Sequence, residues 1–229
     1  MYPADFIPLV ERTSLVHALT RWVLLTAARQ AARWRAEGME LTMAVNISPV
    51  ALEDGLLGIV EEALILSRLD PKHLVLEVTE SAVSDNPVLA TRVVGQLRDR
   101  GVEVSVDDFG AGFTSLGQLR GLPVQQLKID RQFVVDLEQH DDDTIIASII
   151  DLGHRLGLTV IAEGVESQIA AQRLAELSCD ELQGYHFSMP MPADEVTAWV
   201  HARLGAARLP GIGSQRRASE DELDAVLES

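Results

Sequence analysis

Apolar residues along this chain follow two patterns that alternate. In SLVHALTRWVLLTAARQAARWRAEG (14–38) they recur at helical spacing and stop at Gly38, which predicts an amphipathic helix. In LTMAVNIS (41–48) they form a short run that predicts a strand, and Pro49 then opens a helix expected to reach about Arg68. The succession repeats. HLVLEVTES (73–81) predicts a strand, Asn86 and Pro87 start a helix that stops near Gly101, and VEVSVDD (102–108) predicts the next strand. VQQLKID (124–130) is another, followed by an amphipathic helix over DDTIIASIIDLGHRLG (142–157). LTVIAEGVE (158–166) and CDELQGYHF (179–187) complete the strands, with a helix after each. Strands separated by helices imply parallel pairing through right-handed crossovers, in a closed (β/α) barrel or an open doubly wound sheet.

Composition narrows the class. The 229 residues suit one domain of α/β-barrel size or two small ones, and 47% hydrophobic content supplies a sizeable core. A formal net charge of −16 argues against general binding of DNA, RNA or anionic membranes, which needs a basic surface. A phosphorylated small molecule stays open if metal ions or a local cation reverse the sign at its site. The single cysteine, Cys179, forms no intramolecular disulfide, so a reducing cytoplasm is the simplest expectation. The opening MYPADFIPLVERT lacks the basic-then-apolar pattern of a signal peptide, and no apolar stretch is long enough to span a bilayer. From about Ala206 the chain turns polar, which predicts a folded domain over 1–205 and a flexible acidic tail over 206–229.

Polar residues gather at the ends of the predicted strands. Asn46 closes the first, Glu77 and Glu80 the second, and Asp107 and Asp108 the third. Lys128 and Asp130 close the fourth, Glu163 the fifth, and Gln183 lies in the last. Any one of these fits a bland role: Glu80 or Asp130 as a helix cap, Lys128 as a solvated surface lysine, Glu163 as a loop residue. An acid, amide or lysine at nearly every strand end is harder to obtain from capping alone. In a (β/α) barrel the strand C-termini share one face, and that face carries the chemistry. The set offers oxygen donors only, which suits Mg²⁺ or Mn²⁺ better than zinc. Two adjacent Asp residues can serve two ions at once, as in two-metal phosphodiester hydrolysis.

The segments FIPLVERTSL, VNISPVAL, LEVTES, VDDFGAGFTSL, LKIDRQFV, VIAEGVES and LQGYHFSMPMP resemble the EAL domain family, over essentially residues 3–200. The resemblance implies a TIM-like (β/α) barrel that hydrolyses cyclic di-GMP to linear pGpG with two Mg²⁺ or Mn²⁺ ions. By motif, Asn46, Glu77, Asp107 and Asp108 resemble metal ligands, with Asp107 bridging. Lys128 and Glu163 resemble the groups that position or activate the attacking water, and Glu163 also belongs near the second ion. Gln183 resembles a site-shaping residue, and Glu80 the anchor of the loop 109–116. That loop, with the helix after it, is where the family resemblance implies homodimer contacts. It is compatible with a GGDEF or sensor domain in a longer parent chain, which this stretch of sequence does not display.

The segment that names the family, with a further ligating Glu and a phosphate-binding Arg, has no counterpart before Phe6; EEALIL (61–66) lies within a predicted helix. The barrel is therefore expected to be incomplete at its N-terminus, with open edges at 41–48 and 180–187. Three functional readings follow: a metal-dependent phosphodiesterase, an impaired EAL-like domain acting as a cyclic di-GMP receptor or protein-interaction module, and a one-metal enzyme using Lys128 as a base. The Asp107–Asp108 pair counts against the third, since one ion needs only one of them.

Overall fold

The computed structural model describes residues 3–110, 116–140 and 143–207. Helices α1 (Pro3–Val10) and α2 (Leu15–Ala36) precede strand β1 (Met43–Ile47), and α3 (Leu56–Ser67) leads to β2 (Leu74–Thr79). Then α4 (Glu80–Asp85) and α5 (Pro87–Asp99) lead to β3 (Glu103–Phe109), and α6 (Leu116–Gly121) to β4 (Gln126–Ile129). Next α7 (Arg131–His140) and α8 (Thr144–Arg155) lead to β5 (Thr159–Ala162), and α9 (Gln168–Glu176) to β6 (Glu181–Leu182). The six strands form one sheet in chain order, every adjacent pair parallel. That order separates the two architectures. A doubly wound sheet reverses direction at a switch point, whereas an unbroken 1-to-6 order curls one way as a barrel wall does. Among the described residues β1 pairs only with β2, and β6 only with β5.

The core lies between this wall and its helices. In β2, Leu74, Leu76 and Val78 are fully buried on one face, and Val75 and Glu77 are buried on the other. A parallel strand covered on both sides reads as such a near-continuous apolar run. Helix α5 buries Ala90, Val93, Val94 and Leu97, one stripe at helical spacing, and the Asn86 side chain caps it by accepting from Leu89 N at 3.2 Å.

Several boundaries differ from expectation. Pro49 opens only a 3₁₀ turn, Pro49–Ala51, and α3 starts at Leu56, after Glu53, Asp54 and Gly55, three residues that disfavour continuation. Strand β6 is two residues long because the chain wraps the loop after β5: Val165 N donates to Gln183 O and His186 N to Val165 O, each at 3.0 Å. Helices α1, α4, α6 and α7 had no counterpart among the elements expected from the sequence. Contacts divide the chain after Pro190; in the second unit α10 (Ala193–Ala207) stacks Arg203 over Trp199 at 4.4 Å. The tail expected over 206–229 lies, beyond Ala207, outside the described residues.

Candidate functional site

Neighbouring residues of a regular strand face opposite ways, so Asp107 and Asp108 ought to diverge. They do not, because β3 is bulged there. Val106 pairs with Leu127 and Phe109 with Ile129, so Asp107 and Asp108 together oppose the single residue Lys128. Such an insertion re-aims a side chain. Asp108 takes up the change with φ 55, a left-handed conformation that Asp tolerates better than most side chains, and its N–H donates to Asp107 Oδ1 at 3.0 Å. Phe109 then returns to the core.

The bulge is held from below. Glu80, 3% exposed, accepts from Gly110 N through Oε2 at 2.8 Å. Gly110 has φ +98, and a side chain there would meet the Phe133 ring at 2.5 Å. Glu80 thus anchors the start of the loop after Asp108. Its continuation, 111–115, and with it much of the expected dimer contact, lies outside the described residues.

Lys128 organises the centre. It is 2% exposed, and its Nζ reaches Glu77 Oε1 at 2.7 Å, Asp107 Oδ1 at 3.3 Å and Glu163 Oε1. To touch Glu77 on β2 from β4, its side chain crosses the inner face of β3. The β3 residue in register with Glu77 is Ser105, small and fully buried, which leaves that corridor open. Burial works against the Lys128 ammonium, but Glu77, Glu163 and Asp107 outweigh it and hold its pKa well above the ordinary lysine value.

One ammonium does not balance this many carboxylates. The Asp108 carboxyl, although exposed, is pushed up by partial desolvation, then by the charges of Asp107 and Asp130. That of Glu163 is also pushed up by burial, with Lys128 offsetting only part of the effect. Asp107, Asp108 and Glu163 each present a carboxylate oxygen, and the three oxygens lie within 4.8 Å of one another. An all-oxygen group with unbalanced negative charge fits a hard divalent cation such as Mg²⁺ or Mn²⁺.

The other expected site residues sit around this centre. Asn46 is exposed on β1, in register with Glu77. Gln183 shares a cavity of about 190 Å³ with Glu163, Arg131, Glu166 and Tyr185. The sequence reading gave one neighbour, Asp130, only a capping role and did not single out Arg131 or Glu166. Asp130 does cap α7, accepting from Gln132 N at 2.7 Å, but its charge also bears on Asp108. Arg131 and Glu166 pair at 2.6 Å and tie the loops after β4 and β5 together at the mouth of the site. Residues 35 apart carry no local pattern that would flag such a pair. The one hint was their place beside LKID and AEGV.

Known proteins resemble this chain in sequence and in fold. The EAL domain family matches residues 1–190. The bifunctional diguanylate cyclase/cyclic di-GMP phosphodiesterase MucR of Pseudomonas aeruginosa is 40% identical over 201 residues, covering 86% of this chain and 29% of that protein. The cyclic di-GMP phosphodiesterase PdeR of Escherichia coli is 37% identical over 207 residues, covering 90% of this chain and 31% of its own. The chain thus spans under a third of the length of these curated relatives. The solved PaMucR phosphodiesterase, in a c-di-GMP complex, superposes with a TM-score of 0.82 at 40% identity, over 86% of this chain and 81% of that one. No described helix is long and apolar enough to cross a membrane. The chain belongs to the EAL domain family.

Proposed function

We propose that this chain is a phosphodiesterase that hydrolyses cyclic di-GMP to linear pGpG in the cytoplasm. The observation that carries the reading is the bulge, which sets carboxylate oxygens of Asp107 and Asp108 within 4.8 Å of one from Glu163, beside the buried Lys128. Asn46, Glu77 and Asp107 would hold one Mg²⁺ or Mn²⁺, and Asp107, Asp108 and Glu163 the other. Bound there, two divalent ions supply Lewis-acid polarisation of a phosphate oxygen and a water acidic enough to attack at neutral pH.

The residues themselves do the positioning. Asp107, which lies beside Lys128 with Glu77 and clusters with Asp108 and Glu163, would help to hold both ions. Lys128 donates hydrogen bonds into the same space and orients the attacking water. Glu163, whose carboxyl is pushed up by burial, receives a proton from that water. The water oxygen bonds to phosphorus, one phosphorus–ester bond breaks, and the departing ribose oxygen takes up a proton. Gln183 and the Arg131–Glu166 pair shape the wall beside Glu163.

A receptor without turnover is the second reading. Asn46 favours it, being exposed on a strand whose outer edge is unpaired among the described residues, so that an ion held there would be partly open to solvent. The two readings separate in one assay. Incubation with cyclic di-GMP and Mn²⁺, resolved by chromatography, is expected to release pGpG, and EDTA is expected to stop it. Cyclic di-GMP bound but intact after prolonged incubation with Mn²⁺ would select the receptor.

A further inference from the structure

The three partners of Lys128 are drawn from the same carboxylates that would hold the ions. The ammonium hydrogen-bonds Glu77 and Glu163 and lies 3.3 Å from Asp107 Oδ1, so carboxylates of all three surround it. They do so where Lys128 is 2% exposed, so its charge is fully committed to this cluster. A divalent ion brought onto these oxygens meets a cation already seated among them, and the repulsion is strong where water screens little. The carboxylates, in turn, stand close together only with a cation between them or a proton taken up by one of them.

Resting on the reading of this site as a two-ion centre, we propose that Lys128 is its resident cation. Its ammonium holds the carboxylates together in the metal-free protein, and ion loading draws it off Glu77. The lysine then serves twice. It keeps the strand ends assembled before loading, and once displaced it stands at the edge of the ion pair, where a water needs orienting. The reach across β3 permits this, because a long unbranched side chain over the small Ser105 can swing without moving the backbone.

The test is Mn²⁺ binding, without nucleotide, to the full chain and to Lys128→Met, which keeps the bulk and removes the charge. Calorimetry is expected to show at least one Mn²⁺ bound about 10-fold more tightly by K128M. In EDTA the variant is expected to melt lower than the parent, and Mn²⁺ to raise its Tm by more than it raises the parent's. Equal or weaker Mn²⁺ binding by K128M overturns the proposal while leaving the two-ion reading intact. No Mn²⁺ binding by either protein overturns both. If K128M does not fold, the unmodified chain decides: its Lys128 side-chain ¹⁵N resonance is expected to shift on saturation with diamagnetic Mg²⁺. A resonance unmoved by saturating Mg²⁺ overturns the proposal.

Discussion

Replacing Asp107 by asparagine is expected to abolish binding of both divalent ions and to lower cyclic di-GMP hydrolysis by roughly 10³-fold or more. Asp108→Asn is expected to remove one ion and leave the other. The two residues are adjacent and isosteric changes are used, so the difference lies in geometry. Asp107 faces the interior, 8% exposed, beside Lys128 and within reach of both proposed ion positions. Asp108 is exposed and belongs only to the cluster that it forms with Asp107 and Glu163. Asparagine tolerates the left-handed φ of 55 at position 108 about as well as aspartate, so the bulge survives and charge is the variable. Mn²⁺ stoichiometry by calorimetry checks the pair. Equal loss from both variants would contradict a bridging Asp107.

The second large effect is expected at a glycine in the wall beside Glu163. A Cβ at Gly184 would lie 2.1 Å from the Val165 carbonyl oxygen and 2.3 Å from its nitrogen. Both atoms are backbone, fixed by the Val165–Gln183 and His186–Val165 hydrogen bonds, so no rotamer change relieves the clash. Gly184→Ala is expected to cost about 3 kcal/mol or more, as overpacking against a rigid neighbour does. For a domain of this size that is a fall in Tm of roughly 6–12 °C. Activity should fall with it, because Gln183 and the wall beside Glu163 ride on this crossing. Gly58→Ala is the control. It lies inside α3 with nothing within 4 Å of the added carbon, and should gain up to about 1 kcal/mol. Thermal melts of the two variants are expected to move in opposite directions. A Gly184→Ala protein that melts with the parent would mean the crossing is looser than described.

Much of this architecture is legible because parallel strands are simple. LVLEV must be covered on both faces, and the helices between such runs leave few ways to connect them. The acids at the strand ends were legible for the same reason, since the strands of a barrel wall all end on one side. What sequence does not display is register. Nothing in VSVDDF says that the ladder slips by one residue at Asp107 and Asp108, yet that slip turns two alternating side chains into one cluster. The three partners of Lys128 come from β2, β3 and the end of β5, and no spacing along the chain encodes such a meeting. Strand β6 was overread for a related reason: GYHF carries strand-forming residues, but the close approach of Gly184 to Val165 bends the chain away after Leu182.

Anomalous diffraction at the manganese edge, from crystals of the chain grown with Mn²⁺ and cyclic di-GMP, tests the two-ion centre most directly. Two peaks are expected, roughly 3.5–4 Å apart, with Asp107 between them, Asp108 and Glu163 on one and Glu77 on the other. A single peak, or peaks away from Asp107, would contradict it.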